Sequence, residues 1–176
     1  MQNILDKAKK IKLVIFDVDG VLTDGSLFVT ESGEEIKAFN SRDGHGLKML
    51  QNSGVIVAII TGRTSNIVTH RMNELGIDRV YQGVRNKYPA FVELLEKLSI
   101  TPAQTAYVGD DVVDLPVMSH VGLAIAVQDA HDFVKKHAHW QTPTCGGKGA
   151  ARDVCEFIMD AQGNLQTELE SYLNKI

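Results

Sequence analysis

Apolar residues come along this chain in two rhythms. Short runs of four to six give way to a polar residue or glycine, and between them apolar residues recur every three or four positions. The clearest runs are Leu13 to Phe16 (LVIF), Val55 to Ile60 (VIVAII), Thr105 to Val108 (TAYV) and Gly122 to Val127 (GLAIAV). Unbroken runs rich in β-branched types are the mark of strands buried on both faces of a parallel sheet. Weaker strands are expected at Arg79 to Gln82 and, on an edge, at His139 to Gln141. The helical rhythm predicts a helix from Thr64 or Ser65 to Leu75 and another over Asn86 to Leu98, where Phe91, Leu94, Leu95 and Leu98 share a face. A short helix is expected at His131 to Lys136, a closing one from about Ala151, and a last one over Asn164 to Ile176. Met1 to Lys10 reads as a polar lead-in with a turn or two of helix. Strand alternating with helix predicts an α/β fold, a doubly wound parallel sheet with LVIF as its central strand and ligands bound beyond the carboxyl ends of the strands.

Val21 to Asn40 breaks this rhythm. Ser26 to Thr30 (SLFVT) and Glu35 to Phe39 (EIKAF) are strand-like, and the turn cluster between them predicts a β-hairpin inserted beside the first strand. Its apolar Leu27, Phe28, Val29, Ile36 and Phe39 need a surface to pack on, another subunit being one candidate. Asn40 to Gly46 (NSRDGHG) is polar and glycine-rich and leads into a helix over Leu47 to Gln51, with Asp43 as a candidate cap and Gly54 as its end. Cys145 to Ala150 (CGGKGA) is expected to be a flexible turn.

Composition narrows the classes. A length of 176 residues fits one domain of about 1–176 with its own core. Hydrophobic residues at 44% and charged ones at 23% exclude a disordered chain, and a net charge of −4 gives no basic field for nucleic acid. Two cysteines, Cys145 and Cys155, are too few for a disulfide framework or a metal knuckle, and no secretion signal or membrane span is evident, so a cytoplasmic protein is expected.

The candidate chemistry begins at Asp17-Val18-Asp19-Gly20, directly after LVIF. If the extended backbone persists, the i, i+2 spacing turns both carboxylates to one side. Such neighbours repel unless a cation lies between them or one is protonated, although Asp and Gly are also ordinary turn chemistry. The balance shifts because Thr61, Lys87 and the acidic cluster Asp110, Asp111 and Asp114 each follow a predicted strand or open the next helix. Carboxylates with a divalent ion, a hydroxyl and a lysine make a site for a phosphoryl group. Asp111 reads better as a helix-start residue than as a ligand. His45, His70, His120, His131, His137 and His139 show no regular ligand spacing.

FDVDGVLTDG, TGR, the helix-leading Lys87 and GDDVVDLP, in that order, resemble the haloacid dehalogenase superfamily of phosphatases. FNSRDGHGLKML and GGKGA, with a hairpin in place of a cap domain, are similar more narrowly to the 3-deoxy-D-manno-octulosonate 8-phosphate phosphatases, over nearly the whole chain. The resemblance implies a Mg2+-dependent hydrolase of a phosphorylated eight-carbon sugar acid in lipopolysaccharide biosynthesis, a homotetramer whose hairpins meet. It implies Asp17 as nucleophile and Asp19 as acid and base, with Thr61 and Lys87 on the phosphoryl oxygens. Mg2+ would bind Asp17, Asp110 and the backbone carbonyl of Asp19, with Asp114 behind them. Substrate contacts would come from Asp19, Asn40, Ser41, Arg42, Asp43, Gly44, Lys48, Arg63, Arg71 and Lys87, although Lys48 and Arg71 read equally well as solvated helix charges. Lys148 is a candidate for action on a neighbouring subunit. Alternatives remain: a nine-carbon sialic-acid-type 9-phosphate as substrate, a phospho-accepting receiver domain, or a non-catalytic oligomerisation module. The order of the motifs disfavours the receiver, and the pair Asp17 and Asp19 disfavours the scaffold.

Overall fold

The computed structural model describes residues 2–174. In chain order its elements are Gln2–Ala8 (α1), Leu13–Phe16 (β1), Phe28–Val29 (β2), Glu35–Ile36 (β3), Ser41–Asn52 (α2), Ile56–Ile60 (β4), Asn66–Glu74 (α3), Val80–Tyr81 (β5), Lys87–Leu98 (α4), Thr105–Gly109 (β6), Leu115–Met118 (α5), Leu123–Ala126 (β7), Asp132–His137 (α6), Trp140–Gln141 (β8), Ala150–Ala161 (α7) and Leu165–Ser171 (α8). Single 3-10 turns at Pro102–Gln104 and Val112–Asp114 precede β6 and α5.

Six strands form one parallel sheet in the order β5-β4-β1-β6-β7-β8, so the LVIF strand is central as expected. All four side chains of β1 are fully buried, which is what an unbroken apolar run requires, at about 1.5–3 kcal/mol for each side chain. One helical layer contains α1, α2 and α7, and the other contains α4, α5 and α6. The chain runs outward from β1 through β4 to β5 and then returns to the other side of β1 to lay down β6. That reversal opens a crevice at the carboxyl ends of β1 and β6, where doubly wound sheets bind ligands.

Several expectations need correction. The hairpin forms, but only over two residues on each arm, β2 and β3, paired antiparallel. Leu27, Phe28, Val29 and Ile36 are all more than half exposed, because nothing among the described residues covers them. The helix expected from Leu47 begins at Ser41, and its cap is Asn40, whose Oδ1 accepts from the Arg42 N–H at 2.8 Å. Gly44 and Gly46 argue against helix by propensity, each by about 1 kcal/mol relative to Ala. Packing overrides them: a Cβ on Gly46 would lie 2.8 Å from Arg152 Cδ and 3.1 Å from Arg152 Cα, so the missing side chain lets α2 lie close on α7. The CGGKGA segment is not a free turn. Gly147 N–H donates to Val21 O at 2.9 Å, and a Cβ on Gly146 would collide with the carbonyl of Gly20. The last helix is shorter than expected, and positions 175 and 176 of that expectation lie outside the described residues.

Gly46→Val should therefore prise α2 from α7 and cost about 1–3 kcal/mol. The urea midpoint of unfolding checks this; an unchanged midpoint would mean that the contact between these helices is slack.

Candidate active site

The central strand delivers the first carboxylate. The Asp17 N–H still donates to Val108 O at 3.1 Å, one step beyond the formal end of β1. There the chain turns, with the N–H groups of Val21, Leu22 and Thr23 all converging on Val18 O. The extended backbone thus stops short of Asp19, and a turn, not strand alternation, brings Asp19 to the same cleft. Gly20 sits in this turn at φ +89°, and a Cβ there would run into the Asp110 carboxylate. Only glycine lets the loop after β1 lie against the loop after β6.

The floor of the cleft is a buried charge cluster. Lys87, the first residue of α4, has its Nζ 2.7 Å from Asp17 Oδ2 and 2.7 Å from Asp114 Oδ1. Asp17 Oδ1 accepts from the Val18 N–H at 2.7 Å. Asp114, wholly buried, also accepts from Tyr107 Oη at 2.7 Å and from the N–H groups of Asp110 and Asp111 at 3.0 and 3.3 Å. Four donors occupy its two oxygens, so Asp114 ties together the start of α4 and the loop after β6. Burial works against the Lys87 ammonium, but Asp114 and Asp17 outweigh it and raise its pKa, so the lysine stays charged. Burial, then Asp114, raise the Tyr107 hydroxyl well above its ordinary range, so it remains a donor.

One ammonium does not neutralise this cluster. Burial and the charge of Asp114 raise Asp17 to about 6 against the pull of Lys87. Burial and the charges of Asp114, Asp17 and Asp111 push Asp110 up to about 8. Oxygens of Asp17, Asp110 and Asp114 lie within 4.8 Å of one another. Hard oxygen donors at this spacing with unbalanced charge fit Mg2+, and since Asp114 is saturated by its donors, Asp17 and Asp110 are the carboxylates with capacity for it.

Above this floor opens a cleft of about 390 Å³, lined by Asp17, Asp19, Thr61, Gly62, Arg63, Arg85, Lys87, Asp110, Asp111 and Val113. Thr61 is buried directly after β4, its N–H donating to Tyr81 O at 2.9 Å. Asp111 caps the 3-10 turn through the Val112 N–H at 2.7 Å, the helix-start role expected of it. Arg63 spans from Asp19 (Nε to Oδ2, 3.8 Å) to Glu35 of the hairpin (Nη2 to Oε1, 3.0 Å). Lys37, also from the hairpin, pairs with Asp19 Oδ1 and with Glu35 Oε1 at 3.2 Å. Desolvation pushes Glu35 up, but Ser65, Lys37 and Arg63 outweigh it and hold its carboxyl below the usual range. Lys37, Glu35 and Arg85 were not singled out from the sequence. The signal for the first two was available, since Glu35 and Lys37 stand two apart in a strand-like run and so share a face.

The remaining candidates do not all reach this cleft. Asn40, Asp43, Gly44 and Arg71 gather in a second, smaller pocket with Leu22, Phe39 and Leu47. Asp43 is buried and is not the cap of its own helix; its Oδ1 accepts from the Arg152 N–H at 2.8 Å, in the first turn of α7. Burial raises its pKa against the N–H groups of Arg152, Gly149 and Ala151. A Cβ on Gly44 would strike the Arg71 guanidinium, so this glycine makes room for it. Arg71 Nη1 pairs with Glu74 at 3.1 Å, while Arg71 Nε and Asp43 Oδ2 are buried without partners. Ser41 and Arg42 are exposed at the start of α2. Lys48 lies in a separate shallow groove with His45, Glu74 and Tyr172. Lys148 is exposed and pairs with Asp24 at 3.4 Å.

Comparison with known proteins identifies the family. A family model described as haloacid dehalogenase-like hydrolase matches residues 80–152. The 3-deoxy-D-manno-octulosonate 8-phosphate phosphatase of Escherichia coli K12 is 50% identical over 163 residues, 93% of this chain and 87% of that protein. The crystal structure of the corresponding Yersinia pestis phosphatase superposes with a TM-score of 0.92 at 48% identity, covering 93% of this chain and 89% of that one. The Moraxella catarrhalis phosphatase, solved with a magnesium ion, a phosphate ion and a KDO molecule, superposes with a TM-score of 0.96 at 42% identity, over 98% of this chain and 99% of that one.

The two raised carboxyls set a pH dependence. Asp17 and Asp110 bind protons more tightly folded than unfolded, so the stability they contribute is full below their ordinary value of 3.8 and is lost as pH rises through about 6 and about 8. The melting temperature of the chelated protein should fall over that window, and added Mg2+ should raise it more at pH 8.5 than at pH 5.5. Equal Mg2+ increments at both pH values would separate the metal from these carboxylates.

Proposed function

Because the chain belongs to the haloacid dehalogenase-like hydrolases and, within them, to the 3-deoxy-D-manno-octulosonate 8-phosphate phosphatases, we propose that Asp17 is the nucleophile and Asp19 the acid and base of its reaction. The chain is a Mg2+-dependent phosphatase that converts 3-deoxy-D-manno-octulosonate 8-phosphate to the free sugar acid and phosphate. The assignment rests above all on the setting of Asp17, which lies at the end of the central strand, beside a buried lysine and at the mouth of a cleft.

In the first half-reaction an Asp17 carboxylate oxygen attacks phosphorus, the bond from phosphorus to the sugar oxygen breaks, and a proton from Asp19 goes to that oxygen. In the second, Asp19 takes a proton from water, the water oxygen attacks phosphorus, and the bond to Asp17 breaks. Thr61 and Lys87 hold the phosphoryl oxygens, Lys87 being fixed for this by Asp114. Asp17 and Asp110 would hold Mg2+ through their carboxylates and Asp19 through its backbone carbonyl, with Asp114 orienting them. When bound, the ion supplies positive charge against the phosphoryl oxygens.

Arg63 and Arg85 stand over the cleft and suit the second anion of a substrate that carries a carboxylate as well as a phosphate. Asn40, Ser41, Arg42, Asp43, Gly44, Lys48 and Arg71 belong to this reading as substrate-facing positions of the family. Of these, Arg71 with its partnerless Nε offers the best-supported contact, whereas Asp43 is occupied by α7. The chain acts as one domain in which the hairpin replaces a cap. The four exposed apolar side chains of that hairpin support a homotetramer in which hairpins meet. Two free cysteines and the lack of any helix long and apolar enough to cross a membrane, among the described residues, suit a cytoplasmic enzyme.

Asp17→Asn should reduce phosphate release from the eight-carbon substrate by at least roughly 10⁴-fold with the fold intact by circular dichroism. Residual turnover near the wild-type rate would rule out the covalent route. Across a panel of sugar-acid phosphates, hexose phosphates and an aryl phosphate, Mg2+-dependent release should be greatest for the eight-carbon acid; preference for a nine-carbon acid would reassign the substrate. Phe28→Asp should shift the mass in light scattering to a smaller species, and an unchanged mass would remove the hairpin from assembly.

A further inference from the structure

A lysine whose side chain is only 1% exposed needs its charge met, and the partners of Lys37 are specific. Its ammonium lies between Asp19 Oδ1 and Glu35 Oε1. Glu35 Oε1 in turn accepts from Arg63 Nη2 at 3.0 Å, and Arg63 returns to Asp19 Oδ2 at 3.8 Å. Two acids and two bases therefore close a ring that joins the hairpin, the loop after β1 and the loop after β4. The two oxygens of Asp19 are treated unequally. Oδ1 is hydrogen-bonded by a buried ammonium, while the nearest guanidinium nitrogen to Oδ2 is beyond hydrogen-bond reach.

This asymmetry has a chemical meaning for a group that must hand over one proton. The ammonium occupies Oδ1, which leaves Oδ2 as the oxygen free to meet a departing group. A contact at Oδ1 from an otherwise buried side chain also fixes the rotation of the carboxyl plane, and misplacement of a catalytic group by about 1 Å can cost roughly 100-fold. Glu35 and Lys37 stand two residues apart at the edge of a hairpin whose ladder is only two rungs long, so Glu35 keeps Lys37 in place and Arg63 keeps Glu35 in place.

We propose that Lys37 is a positioning residue for proton transfer: it holds Oδ1 of Asp19 so that Oδ2 delivers the proton to the departing sugar oxygen. The inference rests on the reading of Asp19 as the general acid. The bonds made and broken are those of the first half-reaction, with the proton moving from Asp19 Oδ2 to the sugar oxygen and Lys37 keeping all of its own protons.

Leaving-group dependence tests it, because an alkoxide departs poorly without a proton whereas a nitrophenolate departs readily. The measurement is kcat/KM, which reports the phosphorylation half-reaction, for the sugar-acid phosphate and for p-nitrophenyl phosphate. It is made with wild type, Lys37→Met, Lys37→Arg, Asp19→Asn and the double variant, each checked for an unchanged melting curve and unchanged inhibition by inorganic phosphate. Lys37→Met should lose roughly 10- to 100-fold on the sugar-acid phosphate, and at least about 10-fold less than that on the aryl ester. Lys37→Arg should recover most of the loss, and Lys37→Met should add little in the Asp19→Asn background. Equal losses on both esters, or a full Lys37 effect without Asp19, would reduce Lys37 to a structural role and overturn the proposal. An Asp19→Asn variant with equal losses on both esters would instead overturn the reading of Asp19, and the proposal with it.

Discussion

A single buried ammonium confronting more carboxylates than it can neutralise is the interaction on which the rest of this structure depends. Lys87 reaches both Asp17 and Asp114 at 2.7 Å, and Asp110 stands beside them without a cation of its own. Such an assembly is unfavourable in isolation, and it persists because the sheet places the ends of β1 and β6 side by side and α4 brings the lysine in at its first turn. Asp114 carries the structural share of this load, with every oxygen matched to a donor. What remains on Asp17 and Asp110 is unbalanced charge, and unbalanced charge in a cleft is the physical content of a metal and phosphate site. Structure and reactivity are thus divided among neighbouring carboxylates by how many donors each one has.

The parts that could be read from the sequence are those in which local pattern and final environment agree. LVIF, VIVAII, TAYV and GLAIAV are buried strands because no charged residue within them competes for another fate, and Asp17, Thr61 and Asp110, which follow the first three, fall where a doubly wound sheet collects its ligands. What could not be read depends on contacts distant in the chain. Two glycines argue against a helix at Ser41 to Gly46, and only distant contacts explain them, Arg71 of α3 against Gly44 and the approach of α7 at Gly46. Asp43 looked like the cap of its own helix, yet its partner is the N–H of Arg152, 109 positions away. Nothing in the strand-like run EIKAF pointed to Lys37, whose partner Asp19 is supplied only when the hairpin folds over the loop after β1. Propensity was correct about the residues and silent about their partners.

The candidate site is accordingly two neighbourhoods of different character. The floor is rigid, built on strand ends and fully hydrogen-bonded around Asp114. The rim is contributed by the hairpin and by arginines of the neighbouring loops, and its ion pairs run from the buried Lys37 out to Arg63, which is half exposed. A phosphoryl group needs the first and a sugar acid the second. This division lets a superfamily keep one reaction while loops of differing length and charge select what is attached to the phosphate.

Two glycines of the CGGKGA segment carry a consequence for how the reactive turn can fail. Gly146 and Gly147 lie flat against the backbone of Gly20, Thr23 and Asp24, so the turn holding Asp19 is braced by residues near the opposite end of the sequence. Neither glycine lines the cleft, yet a side chain at either would press directly on the backbone that carries Asp19. The shape of the reactive turn is therefore set in part by a segment that touches no substrate, and damage there would read as a catalytic defect although no catalytic group had changed.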